Sequence, residues 1–220
     1  MAGSSSAQSE LRPTSRRVES FSDAVFAIVV TIMVFEIRIP DDLAFGGDRA
    51  ALAGLAAVLV TYALSFFVVV NLWTSHHYLL FTVPSPARST IWYNNLLLFC
   101  VSLIPVVTRF LGMHPDSARA AAAYGFVGVA CTGAFMLLRS HAARISHNPL
   151  HRSIHKRVLR RTALFLAIYA TSVPLAFVRP WLAWICFAIV PPMFVLPVIQ
   201  ARAMRSREKA EQHALERSCP

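Results

Sequence analysis

Apolar runs close to membrane-spanning length recur along the whole chain, near 21–40, 51–73, 91–112, 119–138, 162–178 and 181–200. A helix rising about 1.5 Å per residue needs roughly 20 such residues to cross about 30 Å of hydrocarbon. Inside lipid no water is available to satisfy backbone N–H and C=O groups, so runs of this kind commit the chain to helices. Composition agrees: 56% of the 220 residues are hydrophobic and 15% charged, whereas soluble domains are about 45–50% apolar. The reading is an all-α integral membrane protein with six transmembrane helices. Residues 1–15 form a polar, disordered tail, 16–200 the six-helix membrane domain, and 201–220 a charged tail. The first residues lack the apolar core and small-residue cleavage pattern of a secretory signal, so no processing is expected. Pro174, Pro191, Pro192 and Pro197 are expected to kink the last two helices.

A net charge of +10 could suggest a nucleic-acid partner, but the placement of the charge argues otherwise. Of 21 Lys and Arg residues, only Arg38, Arg49, Arg109, Arg119 and Arg179 fall on one side of the six spans. The rest lie at the two termini and in the linkers after spans two and four. That bias puts both termini in the cytoplasm. "RISHNPLHRSIHKRVLRR" then reads as a cytoplasmic positive loop, and "RAMRSREKAEQHALER" as a solvated tail or a partner helix. Cys100, Cys131, Cys186 and Cys219 make no C-x-x-C pair, so neither a disulfide framework nor a zinc site is expected.

Ionisable groups at membrane depth are costly, and each is a candidate functional residue. Asp23 sits one turn into the first span and Glu36 near its outer end. His76 and His77 close the second span, and Asn94 and Asn95 open the third. At about 100° per residue, Phe21, Ile28, Ile32, Phe35 and Ile39 share one narrow apolar stripe. Thr31 lies beside that stripe and Asp23 almost opposite. With both termini cytoplasmic, Trp73, His77, Asn94 and Asn95 reach the depth of Arg17 and Asp23. Arg17 and Asp23 are six residues apart, so a second helix or subunit has to mediate between them. By geometry alone the polar set is also plain helix-packing glue, and the stripe is also buried packing or lipid-facing surface. Outside the membrane, Asp41 and Asp42 join Glu36 as acids able to concentrate cations at an external vestibule.

Three ordered motifs carry a resemblance. Arg17-x-x-x-Phe21-Ser22-Asp23 followed by "AVFAIVVTIMVFEI", then "LWTSHHYLL", then "NNLLLFCVSLIPVVTRFLG" closely resemble the signature of the transmembrane-protein-175 family of potassium channels. Spans four to six match only in number, length and polarity. The resemblance implies a prokaryotic, single-repeat member in the cell membrane, passing potassium passively and lacking a "TVGYG" carbonyl filter. It implies a homotetramer, because no six-plus-six repeat is present, with the first helix lining a central pore. By position, Ile28 takes the hydrophobic constriction and Ile32 the next ring. Phe35 takes a third ring, where an aliphatic residue is commoner, and Thr31 offers hydroxyls near the neck. Arg17, Phe21, Ser22, Asp23, Trp73, His77 and Asn95 are implied as the polar network anchoring that helix. No cofactor is implied beyond potassium as the permeant ion; the lipid bilayer is the other partner, and no nucleic acid is.

Two other readings remain at this point. Asp23 and His77 could relay protons in a proton-permeable channel or a proton-coupled transporter, although transporters place such groups at the midplane between inverted repeats. A membrane enzyme would need a metal site; only the His147, His151 and His155 spacings suggest one, and they lie in a basic segment that repels cations.

Overall fold

The computed structural model describes residues 15–37, 49–80, 83, 87–145 and 149–193. All regular structure among them is helical. Helix α1 spans Ser15–Ile32 and tightens into a 3-10 turn at Met33–Glu36. There follow α2 (Arg49–Leu80), α3 (Arg88–Ser102), α4 (Ile104–Met113), α5 (Ala118–Ile145), α6 (Pro149–Val178) and α7 (Pro180–Met193). Among the described residues, five segments have the length and apolarity to cross a membrane: Arg16–Glu36, Ala51–Leu80, Arg88–Met113, Ala118–Ile145 and His155–Val178. The sixth expected span is present as the shorter α7, with 194–200 outside the described residues. Also outside them are 1–14, Asp41, Asp42, Pro197 and the tail 201–220.

Two features depart from the expected layout. The third span is a pair of helices, α3 and α4, meeting at Leu103. Pro105 in the first turn of α4 has no N–H to return to the preceding turn, so the α-helical ladder breaks there and Leu103 N–H turns back to the Cys100 carbonyl at 3.2 Å. The basic stretch 139–161, expected as a loop, is also mostly helical: α5 runs to Ile145 and α6 starts at Pro149. Arg and Lys are good helix formers, so the helices simply continue past their apolar segments. Pro174 lies inside α6, which carries on to either side of it.

Apolar burial gains little between helices already bathed in lipid, so close packing and buried hydrogen bonds have to hold the bundle together. Small residues allow that approach on α5. A Cβ on Gly128 would run into the Tyr169 ring of α6, and one on Gly125 would meet Ser172 and Val173. Tyr124 Oη and Ser65 Oγ lie 3.0 Å apart, and Thr108 Oγ1 donates to Ser65 at 2.8 Å, joining α5, α2 and α4. Coverage is uneven: 56% of the spanning window of α5 is buried within the chain, against 22% for α1. Helix α2, at 17%, is covered less still, so the first two helices are the least enclosed by the rest of the described chain.

Candidate functional site

Helix α1 has two faces of different character. Val18, Ser22, Phe26, Val29 and Met33 recur at helical spacing and are buried against the bundle. On the far side Phe21, Ile28, Ile32 and Phe35 are exposed, Ile28 by 56% and Phe35 by 79%. No described part of the chain covers them. Thr31 is exposed on the same side, and its hydroxyl donates to its own helix, 2.9 Å from the Ile28 carbonyl and 3.0 Å from that of Ala27. Its proton is thus spent inward and its lone pairs are left facing out. The 3-10 turn at Met33–Glu36 ends the 3.6-residue period, and Phe35 remains outward all the same.

A buried polar chain pins the inner face. Ser22, Asn94 and His76, from α1, α3 and α2, are all fully buried. Ser22 Oγ donates to the Val18 carbonyl at 2.7 Å and accepts from Asn94 Nδ2 at 3.0 Å. The Asn94 Oδ1 then lies 2.6 Å from His76 Nε2. A carboxamide oxygen can only accept, so His76 carries its proton on Nε2. The Phe26 ring packs against the His76 imidazole with centroids 5.5 Å apart. These contacts amend the expected network. Asn94 is the amide that meets Ser22, whereas Asn95 is exposed, one step round α3 on the side of Trp92, Leu96 and Phe99.

A second polar set lies at the rim of the α1–α2 contact. Trp73 Nε1–H donates to Asp23 Oδ1 at 2.8 Å, and the His77 ring stacks on Trp73 at 5.9 Å. His77 Nδ1 stands 3.0 Å from Glu19 Oε1. Asp23, Trp73 and His77 are thus together, as expected, but with Glu19 rather than with Ser22. Arg17 is exposed, and among the described residues no ion pair joins it to Asp23. Phe21 likewise points away from both sets. At the other end of α1, Glu36 does not stand as a lone vestibule acid: its carboxylate lies 3.4 Å from the Arg109 guanidinium of α4, which neutralises it.

Arg139, by sequence one of the cations of the linker after span four, is buried in α5. Its Nη2 donates to the Ser75 carbonyl of α2 at 3.0 Å, its Nη1 lies 3.5 Å from His155 Nδ1 of α6, and its guanidinium sits over the Phe135 ring. Glu19 and Arg139 are polar residues that sequence reasoning did not single out, and His76 and Asn94 are candidates that the implied anchoring network left out. Asn94 shares its face of α3 with buried Leu97, Leu98 and Val101, and His76 its face of α2 with buried Val69, Leu72 and Leu79, a burial that only the structure reveals.

This geometry has counterparts among known proteins. A family model described as the endosomal/lysosomal potassium channel TMEM175 matches residues 17–105, which take in α1 to the start of α4. A potassium channel of Streptomyces collinus is 35% identical over 171 residues, covering 74% of this chain and 83% of that relative. One of a Chryseobacterium species is 29% identical over 186 residues, covering 84% and 94%. The crystal structure of a lysosomal potassium-selective channel TMEM175 homolog from Chamaesiphon minutus superposes with a TM-score of 0.73 at 26% identity. It covers 83% of this chain and 97% of that one.

Proposed function

The chain belongs to the TMEM175 family, a channel family rather than a class of enzymes, and from that premise we propose that it conducts potassium passively through a pore lined by α1. Four copies surround the pore in a prokaryotic cell membrane, with both termini in the cytoplasm and no cofactor. The observation that carries this reading is the outward stripe of Ile28, Thr31, Ile32 and Phe35, which the other described residues leave largely uncovered while the opposite face is pinned by Ser22, Asn94 and His76.

Symmetry would turn each stripe residue into a ring. A narrow ring of Ile28 side chains holds water poorly and blocks ions by dewetting until it widens. Potassium is larger and more weakly hydrated than sodium, so it gives up less in shedding water at such a neck. The outward lone pairs of Thr31 would return part of that loss. The ion pair of Glu36 with Arg109 removes Glu36 as a net attractor of cations, leaving that role to Asp41 and Asp42.

The test is flux from proteoliposomes under a potassium gradient, comparing wild type with Ile28→Asn. Wild type is expected to pass potassium ahead of sodium. The asparagine ring stays wet, so the variant is expected to leak more and to select less. A current ratio identical in the two proteins would remove Ile28 from the neck, and no flux over a wide range of voltage would remove the channel.

A further inference from the structure

Two carboxylates and an imidazole converge at the rim of the α1–α2 contact, away from the uncovered face of α1. Glu19 and Asp23 lie one turn apart on α1, and His77 comes from the last turn of α2. One ligand atom from each lies within 4.8 Å of the other two, and all three side chains are partly exposed. Like charges four residues apart repel on a helix, so two acids brought together in this way call for a cation. Arg16 and Arg17, the nearest cations along α1, are both exposed.

The surroundings orient the set from outside. Trp73 Nε1–H holds Asp23 Oδ1 at 2.8 Å, and the indole face lies against the His77 ring. Support of this kind, a donor on a carboxylate and a wall behind an imidazole, keeps metal ligands aimed. We propose that Glu19, Asp23 and His77 form a site for a first-row divalent transition-metal ion of the zinc class, bridging α1 to α2. One imidazole with two carboxylates suits such ions, whereas Mg2+ and Ca2+ favour oxygen alone. Zinc bonds of about 2.0–2.2 Å put tetrahedral ligand atoms about 3.3–3.6 Å apart. The His77–Glu19 separation of 3.0 Å is already in that neighbourhood, and rotamer shifts bring in Asp23. Parts of the His77 and Glu19 side chains are exposed, 38% and 25%, although His77 Nδ1 itself is covered, so an ion would enter from the Glu19 and Asp23 side with water completing its coordination. A bound ion would neutralise the paired acids and tie the base of α1 to the end of α2.

The experiment uses full-length protein in nanodiscs, stripped with EDTA and titrated with zinc chloride alone by calorimetry, with thermal unfolding in parallel. One ion per subunit is expected, together with a rise in Tm. Glu19→Gln and His77→Gln are each expected to weaken binding about tenfold or more, with unchanged elution on size-exclusion chromatography. Glu19→Cys keeps three donors and is expected to shift preference from zinc toward cadmium, as a thiolate should. Absence of zinc binding in the wild type overturns the proposal. So does binding that is equal in wild type, Glu19→Gln and His77→Gln, since the ion would then sit on other histidines. Flux is not the readout, so a failed titration leaves the pore reading standing, and a failed flux assay leaves this site standing.

Discussion

Two polar clusters tie α1 to its neighbours, and they differ in burial and in acid content. Ser22, Asn94 and His76 are sealed from solvent, while Glu19, Asp23, Trp73 and His77 meet it at the rim. The sealed set has no acid while the rim set holds two carboxylates, although Ser22 and Asp23 are adjacent in the chain. Burial separates their roles. In the sealed chain the bonded groups have fixed partners and none can turn to water when a partner is lost, so the cluster acts as a rivet. At the rim, water, protons or a metal ion can substitute, so those contacts can be exchanged. If α1 moves during gating, the rim is where its attachment can change and the sealed chain is where it cannot.

Substitutions grade this contrast. The largest effect is expected from Asn94→Leu, which strands the buried His76 Nε2–H and removes the donor to Ser22. A loss of about 2 kcal/mol follows from leaving one buried donor unmet, read as a lower unfolding temperature in detergent. Trp73→Phe is next: it keeps an aromatic wall for His77 but removes the bond to Asp23, whose place water can take. About 0.5–1 kcal/mol is expected. A loss equal to that of Asn94→Leu would erase the distinction between the clusters. The smallest effect is expected from Asn95→Ala, within about 0.5 kcal/mol, because the side chain is exposed and meets no polar partner among the described residues. A collapse of stability in Asn95→Ala, with Asn94→Leu tolerated, would reverse the assignment made from the structure.

The same contrast explains what could be read from the chain alone. Apolar runs set the membrane class and the positions of five spans, because the cost of unsatisfied backbone in lipid depends on length and polarity and not on neighbours. The stripe of Ile28, Ile32 and Phe35 and its opposition to Asp23 follow from helical period, and α1 is helical. Choosing Asn94 over Asn95, or placing His76 in the sealed chain and His77 at the rim, is a different problem. In a soluble helix the buried face is the apolar one, and the pattern decides. In a membrane helix the lipid face is as apolar as the packed face. Trp92, Leu96 and Phe99 beside Asn95 look no more polar than Leu97, Leu98 and Val101 beside Asn94, so the wheel holds no contrast to read.

The sequence by itself determined the helical membrane architecture, the family and the helix that carries the uncovered stripe, since these rest on length, polarity and local motif. Tertiary structure decided which of two neighbouring amides and histidines is sealed in, that Glu36 is ion-paired, and that Arg139 is interior rather than part of a loop. Those outcomes depend on the rotation of each helix about its own axis. That rotation is set by where small residues such as Gly125 and Gly128 let helices approach and where buried polar atoms find partners.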